Sequence, residues 1–195
     1  MKRKMIIILL VTLILAGLAG CTKGHSQENH GGSMSNFNAE KNEFSEIMII
    51  NAPIDKVFPL LCPVREHDWI PTWNADILWS VSGLAEEGAV FKTGNETWII
   101  TDYVPMKTVN FVRYNPDVVT RLKIEVSEKH GKTQMLWTQS QVGTTESGNI
   151  EVAEQKADGF SGMVKSLEAM MTYYLMSGNM IDDSTLKKHL GTSSH

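Results

Sequence analysis

Between Cys62 and Trp73 the chain reads Cys-Pro-Val-Arg-Glu-His-Asp-Trp-Ile-Pro-Thr-Trp, so Arg65, Glu66, His67 and Asp68 place a guanidinium, two carboxylates and an imidazole at consecutive positions. His67 with Glu66 or Asp68 has the makings of a general acid–base pair. Arg65 has the planar fork that clamps a carboxylate with two bonds. Four adjacent side chains on a helix or tight turn radiate in different directions, so they cannot all meet one ligand. The plainer reading is a solvated helix end with Trp69 and Trp73 plugging the core beneath it. Two more polar residues stand among apolar strand residues: Asp102 is in phase with Trp98 and Ile100, and Arg113 with Phe111. Turned inward, the two would satisfy each other or orient a polar ligand head. A local bulge would turn them outward.

Other chemistries find less support. A catalytic thiol at Cys62 needs a base and a positive surrounding. His67 is five residues on, off that face of a helix, and Pro63 intervenes, so Cys62 reads as a buried structural cysteine. The six histidines are scattered with no HxxxH or CxxC spacing, and His25 and His30 fall in a polar stretch, so no metal site and no cofactor are expected. Gly159-Phe160-Ser161-Gly162 lacks the pattern of a nucleophile elbow. Its two glycines would each cost about 1 kcal/mol inside a helix, for close packing, for a kink or to leave room for a ligand.

The elements that must position these residues follow from periodicity. From Asn149 to about Ser177, Ala153, Ala157, Phe160, Val164, Leu167, Met171 and Tyr174 recur at steps of four and three, which predicts one long amphipathic helix. Phe44 to Asn51 is a β-rich run with Ile47, Met48, Ile49 and Ile50 apolar on both faces. Ala52-Pro53 opens a short helix over Val57, Phe58, Leu60 and Leu61 that ends at Pro63, and a second short segment runs to Trp73. Six strand-like runs follow at 75–82, 89–93, 96–104, 108–115, 118–129 and 132–143, separated by short turns such as His130-Gly131-Lys132. Short connections make neighbours antiparallel. The expectation is an α+β fold in which a curved sheet wraps the long C-terminal helix.

That order resembles the START-like (SRPBCC) or helix-grip superfamily, which includes birch-pollen-allergen and polyketide-cyclase-like proteins. The resemblance is carried by Ile50-Asn51-Ala52-Pro53 with Val57-Phe58, by Trp98-Ile99-Ile100-Thr101-Asp102-Tyr103, by Leu136-Trp137-Thr138 and by the closing helix. It implies a seven-stranded antiparallel sheet gripping that helix, two short helices after strand one at the mouth, and an internal cavity. It does not imply one activity, because the fold hosts carriers, receptors and enzymes alike. The expected ligand-binding set is Arg65, His67, Trp69 and Trp73 at the entrance, Trp98, Asp102, Phe111, Arg113 and Trp137 on the sheet, and Phe160, Met163 and Leu167 on the helix. Trp79, Phe91, Ile100, Leu122, Ile124 and Met171 complete the candidate lining.

The remaining segments give an address. Lys2, Arg3 and Lys4 precede an apolar run from Met5 to Leu15, too short for the ~20 residues of a membrane span. The run closes in Leu18-Ala19-Gly20-Cys21, which resembles the bacterial lipobox and implies cleavage before Cys21 and acylation of that residue. Residues 1–21 are thus expected to be a lipoprotein signal peptide and 22–43 a flexible polar tether. The helix-grip domain spans 44–177, and a polar tail with a weak helical pattern covers 178–195. The precursor has 18 basic and 22 acidic side chains; losing Lys2, Arg3 and Lys4 leaves 15 against 22, a net charge of −7. That balance argues against nucleic acid as a partner. With Cys21 acylated, Cys62 alone remains of the two cysteines, so no internal disulfide is available. Together these features predict a lipid-anchored extracytoplasmic domain of the bacterial envelope that holds a small hydrophobic or amphipathic ligand as carrier or sensor. The rivals are a cyclase, isomerase or hydrolase using Arg65, His67, Asp102 or Arg113, and a protein-interaction module presenting Trp69 and Trp73.

Overall fold

A computed structural model describes residues 37–192; the signal segment with Cys21 and residues 22–36 of the expected tether lie outside the described residues. Seven strands form one antiparallel sheet: β1 Lys41–Ile50, β2 Asp76–Trp79, β3 Val90–Thr93, β4 Glu96–Val104, β5 Thr108–Tyr114, β6 Val118–Lys129 and β7 Lys132–Gly143. Their order is β1-β7-β6-β5-β4-β3-β2, so β2 to β7 meander while β1 pairs with β7 across the length of the domain. The β6–β7 hairpin closes through His130 and Gly131, both at positive φ, the pair a two-residue turn of this hand requires.

Between β1 and β2 lie the short α1 Ile54–Val57, a 3-10 turn at Phe58–Leu61, and α2 Pro63–Glu66. The single short helix expected up to Pro63 is thus one α-turn followed by a 3-10 turn that ends at Leu61, and Pro63 opens α2, where its missing N–H has no carbonyl to lose. The core is continuous from Met48, Ile50, Phe58 and Trp69 across Ile100, Val109 and Met135 to Val164 and Met171.

Four expectations need correction. The 149–177 helix is two helices, α3 Glu146–Glu154 and α4 Ala157–Ser177, separated by extended backbone at Gln155 and Lys156. Upstream of the break the apolar stripe changes register: Ala153 is exposed and Val152 is buried instead, while on α4 Phe160, Val164 and Met171 are buried and Ala157, its first residue, is exposed. α3 is held separately, Thr145 Oγ1 accepting from Gly148 N–H at 3.0 Å and donating to Asp117 Oδ1 at 2.5 Å. Gly148 is obligatory there, since a Cβ would meet the Asp117 carbonyl at 1.9 Å. Second, β1 starts at Lys41 rather than Phe44. Third, β1 is an edge strand and is not buried on both faces: Met48 and Ile50 are buried but Ile47 and Ile49 are about half exposed, at 47% and 50%.

The fourth correction concerns the tail. It carries a further helix, α5 Asp183–Thr192, against α4. Asp182 Oδ1 accepts from the N–H of Ser184 and of Thr185, satisfying donors that a helix start otherwise leaves orphaned. The Ser184 and Thr185 hydroxyls also donate to this carboxylate and, together with the backbone bonds, hold it well below its usual range. Ile181 is buried beside it and pins the helix start.

Candidate functional site

α4 does not fill the sheet's inner face completely. Where Trp98 on β4, Phe111 and Arg113 on β5, Leu122 and Ile124 on β6 and Trp137 on β7 face Met163 and Leu167 on α4, a cavity of about 190 Å3 remains. Trp73 and Ile70 from the loop after α2, and Glu66 from α2 itself, form the rest of its wall. Alternation puts the sheet residues there: along β7, Met135, Trp137, Gln139 and Gln141 are buried in strict period two. The walls are largely rings. Phe91 and Trp98 stack at 5.5 Å, Trp73 meets Trp98 edge-on at 5.8 Å, and Phe111 is perpendicular to both Phe91 and Trp98.

Against that apolar wall stands one fixed polar array. Arg113 Nη1 donates to Glu96 Oε2 at 2.9 Å, Nη2 donates to Gln139 Oε1 at 3.0 Å, and the guanidinium carbon lies 4.9 Å over the Trp98 ring. A guanidinium stacked on an indole and forked between two acceptors has little freedom left. The Nε atom of Arg113 and the Nε1 atoms of Trp98 and Trp137 are buried and have no partner. Glu66 likewise has no hydrogen-bond or ion partner among the described residues, and burial pushes its carboxyl up to about 8, so the group is protonated at neutral pH. A second, more polar cavity of about 300 Å3 adjoins this one through Arg113, Gln139 and Met163 and reaches Thr120, Gln141 and Gly159.

A larger concavity of about 830 Å3 lies elsewhere, as a groove between the outer residues Ile47 and Ile49 of β1 and the helices α4 and α5. It stands outside the gripped interior. Trp98, Arg113 and Trp137, whose N–H groups lack a partner, all belong to the lining of the smaller cavity, and there we place the site.

Of the twelve residues expected from sequence, Trp73, Trp98, Phe111, Arg113, Trp137, Met163 and Leu167 surround this cavity. Phe160 lines the neighbouring one and stacks on Phe44 at 6.2 Å. Four are not brought to it. Trp69 is wholly buried in the packed core, its Nε1–H donating to the Leu60 carbonyl at 3.0 Å. Arg65 is tied at 2.6 Å to Asp68, whose carboxylate also accepts from Tyr174 on α4. His67 Nε2 accepts from the Ala75 N–H at 3.2 Å and so ties the loop into β2. Asp102 faces away: a bulge between Ile100 and Asp102 reverses the alternation, sending Tyr103 onto Phe58 and Asp102 to the outer face, where Asn110 donates to it at 3.1 Å. No Asp102–Arg113 pair forms. Trp79 is also outside, at 55% exposure.

Sequence reasoning missed Glu96 and Gln139 and did not single out Glu66 within its cluster. Glu96 is two residues before Trp98 and Gln139 two after Trp137, so strand period alone marks both as inward.

No protein-family model matches the chain, and no curated protein matches it in sequence. Solved structures match in shape. Protein jhp0584 of Helicobacter pylori is 11% identical, over 84% of this chain and 99% of that one, with a TM-score of 0.52. Ara h 8.0201 is 16% identical, over 68% and 98%, with a TM-score of 0.51. Protein Mll3558 of Rhizobium loti is 15% identical, over 69% and 99%, with a TM-score of 0.50. At these identities the likeness is one of fold, and the fold is the helix-grip.

Proposed function

We propose that this chain is a lipid-anchored extracytoplasmic domain that binds a small hydrophobic or amphipathic molecule between sheet and helix, as a carrier or sensor. One observation carries the reading: a ring-walled cavity left open inside an otherwise packed core, with the polar residues Glu66, Arg113 and Gln139 among its lining. Packed interiors seldom leave such a void, and ligand sites combine apolar lining with a few convergent polar groups. The space equals that of about six waters at ~30 Å3 each, which suits a compact ligand. The anchor rests on the Cys21 motif and its charged, apolar leader.

Native extraction followed by mass spectrometry tests the binding reading: a copurifying apolar species supports it, and a chain that is consistently ligand-free overturns it. Membrane fractionation of a Cys21→Ser variant tests the anchor. Release from the membrane fraction supports acylation, and unchanged sedimentation overturns it.

An enzymatic reading has one specific support, the protonated Glu66 carboxyl sharing a cavity with Arg113. Arg65, His67 and Asp102 are engaged elsewhere, so proton transfer would fall to Glu66. The interaction-module reading loses its anchors, because Trp69 is wholly buried and Trp73 forms part of the cavity wall.

A further inference from the structure

The ring-walled cavity and the more polar one beside it share a wall: Arg113, Gln139 and Met163 line both. Met163 is the one exposed side chain around the inner cavity, at 40%; every other lining residue there is buried or half-buried. On its outer side the polar chamber ends at Glu151 and Gln155, from α3 and its C-terminal cap, and at Gly159 of α4, all exposed. The break between the two helices thus stands at the chamber's mouth. A Cβ at Gly159 would meet nothing within 4 Å, so close packing does not account for that glycine.

The opposite rim is fastened. Asp68, in the loop after α2, accepts from Arg65 at 2.6 Å and from Tyr174 Oη of α4 at 3.5 Å, and Trp73 is held by its bond to the Pro63 carbonyl. Among the described residues no hydrogen bond ties Gln155, Gly159 or Met163 to β4, β5, β6 or β7.

The chamber also differs in chemistry from the inner cavity. Thr120, Gln139 and Gln141 are buried polar side chains on its sheet wall. Gln139 Oε1 is taken by Arg113, but its Nε2 has no partner among the described residues. Unlike the enclosed nitrogens of Trp98, Trp137 and Arg113, that amide nitrogen is not sealed from contact with water. Asn115 spends its Oδ1 on the N–H groups of Asp117 and Val118 and keeps its amide nitrogen, while Glu96 gives Oε2 to Arg113 and keeps Oε1. Amide donors therefore stand beside a carboxylate acceptor, and the charges of Arg113 and Glu96 offset each other. An anionic head would meet Glu96 and Glu151, and a cationic one the guanidinium. Hydroxyls, which both donate and accept, match this wall as it stands.

Resting on the ligand-binding reading above, we infer that the interior is entered at the α3–α4 break, and that its occupant carries a neutral, hydroxyl-rich head, held in the polar chamber by Gln139, on a compact apolar body lodged past Met163 in the ring-walled cavity. Met163, unbranched and flexible, is the side chain that must swing for the body to pass. The chamber, at about 300 Å3, equals the space of about ten waters at ~30 Å3 each, enough for one sugar ring or a glycerol unit.

The test uses the full chain labelled with 15N and four probes of one body: phenyl glucoside, phenyl phosphate, phenyltrimethylammonium and benzene. Phenyl glucoside should bind at least about tenfold more tightly than benzene, the worth of one good hydrogen bond. It should also shift the Gln139 side-chain amide resonances, assigned by their loss in Gln139→Met, and that variant should hold the glucoside no better than benzene. The two charged probes should gain nothing over benzene; if either equals the glucoside, the neutral head is refuted. Gly159→Phe, which fills the mouth, should weaken the glucoside about tenfold and slow the entry of benzene. Its unfolding stability should be kept or raised, because glycine is the poorer helix former. Met163→Ala should speed benzene exchange, and Tyr174→Phe, which frees the opposite rim, should leave it unchanged. Exchange that answers to Tyr174→Phe and ignores Gly159→Phe would put the entrance at the other rim and overturn the inference. If benzene binds and the glucoside gains nothing, the inference falls and cavity binding stands. If none of the four binds, the inference falls as well, and native extraction decides separately whether the binding reading survives.

Discussion

Two ends of the same interior treat tryptophan differently. Around α1 and α2, Trp69 is wholly buried and its N–H is matched to the Leu60 carbonyl; the neighbouring Trp73 donates to the Pro63 carbonyl at 2.9 Å. Around the cavity, Trp98 and Trp137 are nearly as buried, at 8% and 4% exposure, yet neither N–H has a partner. An indole whose task is packing comes with an acceptor, because burying a bare N–H costs stability. The lesson is that the cavity end combines indole N–H groups left unpaired with a volume left unfilled, whereas Trp69 at the other end is both paired and closely packed.

The comparison is most open to attack at Trp69. Trp69→Ala should lower unfolding stability by about 3–5 kcal/mol, read as a reduced urea midpoint at unchanged slope. A loss below 1 kcal/mol would mean that this end is not the solid one. Glu66 comes next. Its carboxyl, at about 8 in the folded chain against an ordinary 4.5, keeps a proton that the unfolded chain releases. Stability from this group is therefore complete below pH 4.5, declines as pH rises towards 8, and falls no further above it. Glu66→Gln should remove that decline and leave the variant about 4 kcal/mol ahead at pH 8, with little difference at pH 4. Parallel stability–pH curves would show that the carboxyl is not desolvated.

Phenylalanine substitutions put the contrast directly. Trp69→Phe should cost about 1–3 kcal/mol because it strands the Leu60 carbonyl, whereas Trp98→Phe removes an orphan donor and should stay within about 1 kcal/mol of the parent. Equal costs would erase the distinction between the two ends. Gly162→Ala should stabilise by about 1 kcal/mol, since a Cβ there meets nothing within 4 Å and alanine is the better helix former. This excludes close packing as the reason for that glycine. The smallest effect belongs to Asp102→Ala, about 0.5 kcal/mol or less in unfolding stability, because the carboxylate bonds Asn110 on the outer face.

Much of this was legible beforehand where the signal is local. Strands β4, β6 and β7 have the very ends that turn chemistry and alternation predict, and seven of the twelve anticipated residues surround the cavity. Asp102 misled because parity was counted through Ile100 without the bulge, and one inserted residue inverts every side chain after it. The long helix misled in the same way: two extended residues at Gln155 and Lys156 interrupt the stripe, so Ala153 matched the period without sharing the face. Trp69 was an excellent candidate by composition and spacing, and only its depth in the core withdrew it.

Residue order alone determined the strand order along the chain, the limits of β4, β6 and β7, the apolar face of α4 from Phe160 onward and the basic, apolar leader that ends in Cys21, because each depends on neighbours a few positions apart. Tertiary structure decided which of four interior indoles would find a carbonyl, that Arg113 would pair with Glu96 and not with Asp102, and that a volume would stay open beside them. Those outcomes depend on groups brought together from distant parts of the chain, such as Arg113 and Gln139 from β5 and β7 and Glu66 from α2. Partnership in a buried site is a property of where chains cross, and no period along one strand or helix encodes it.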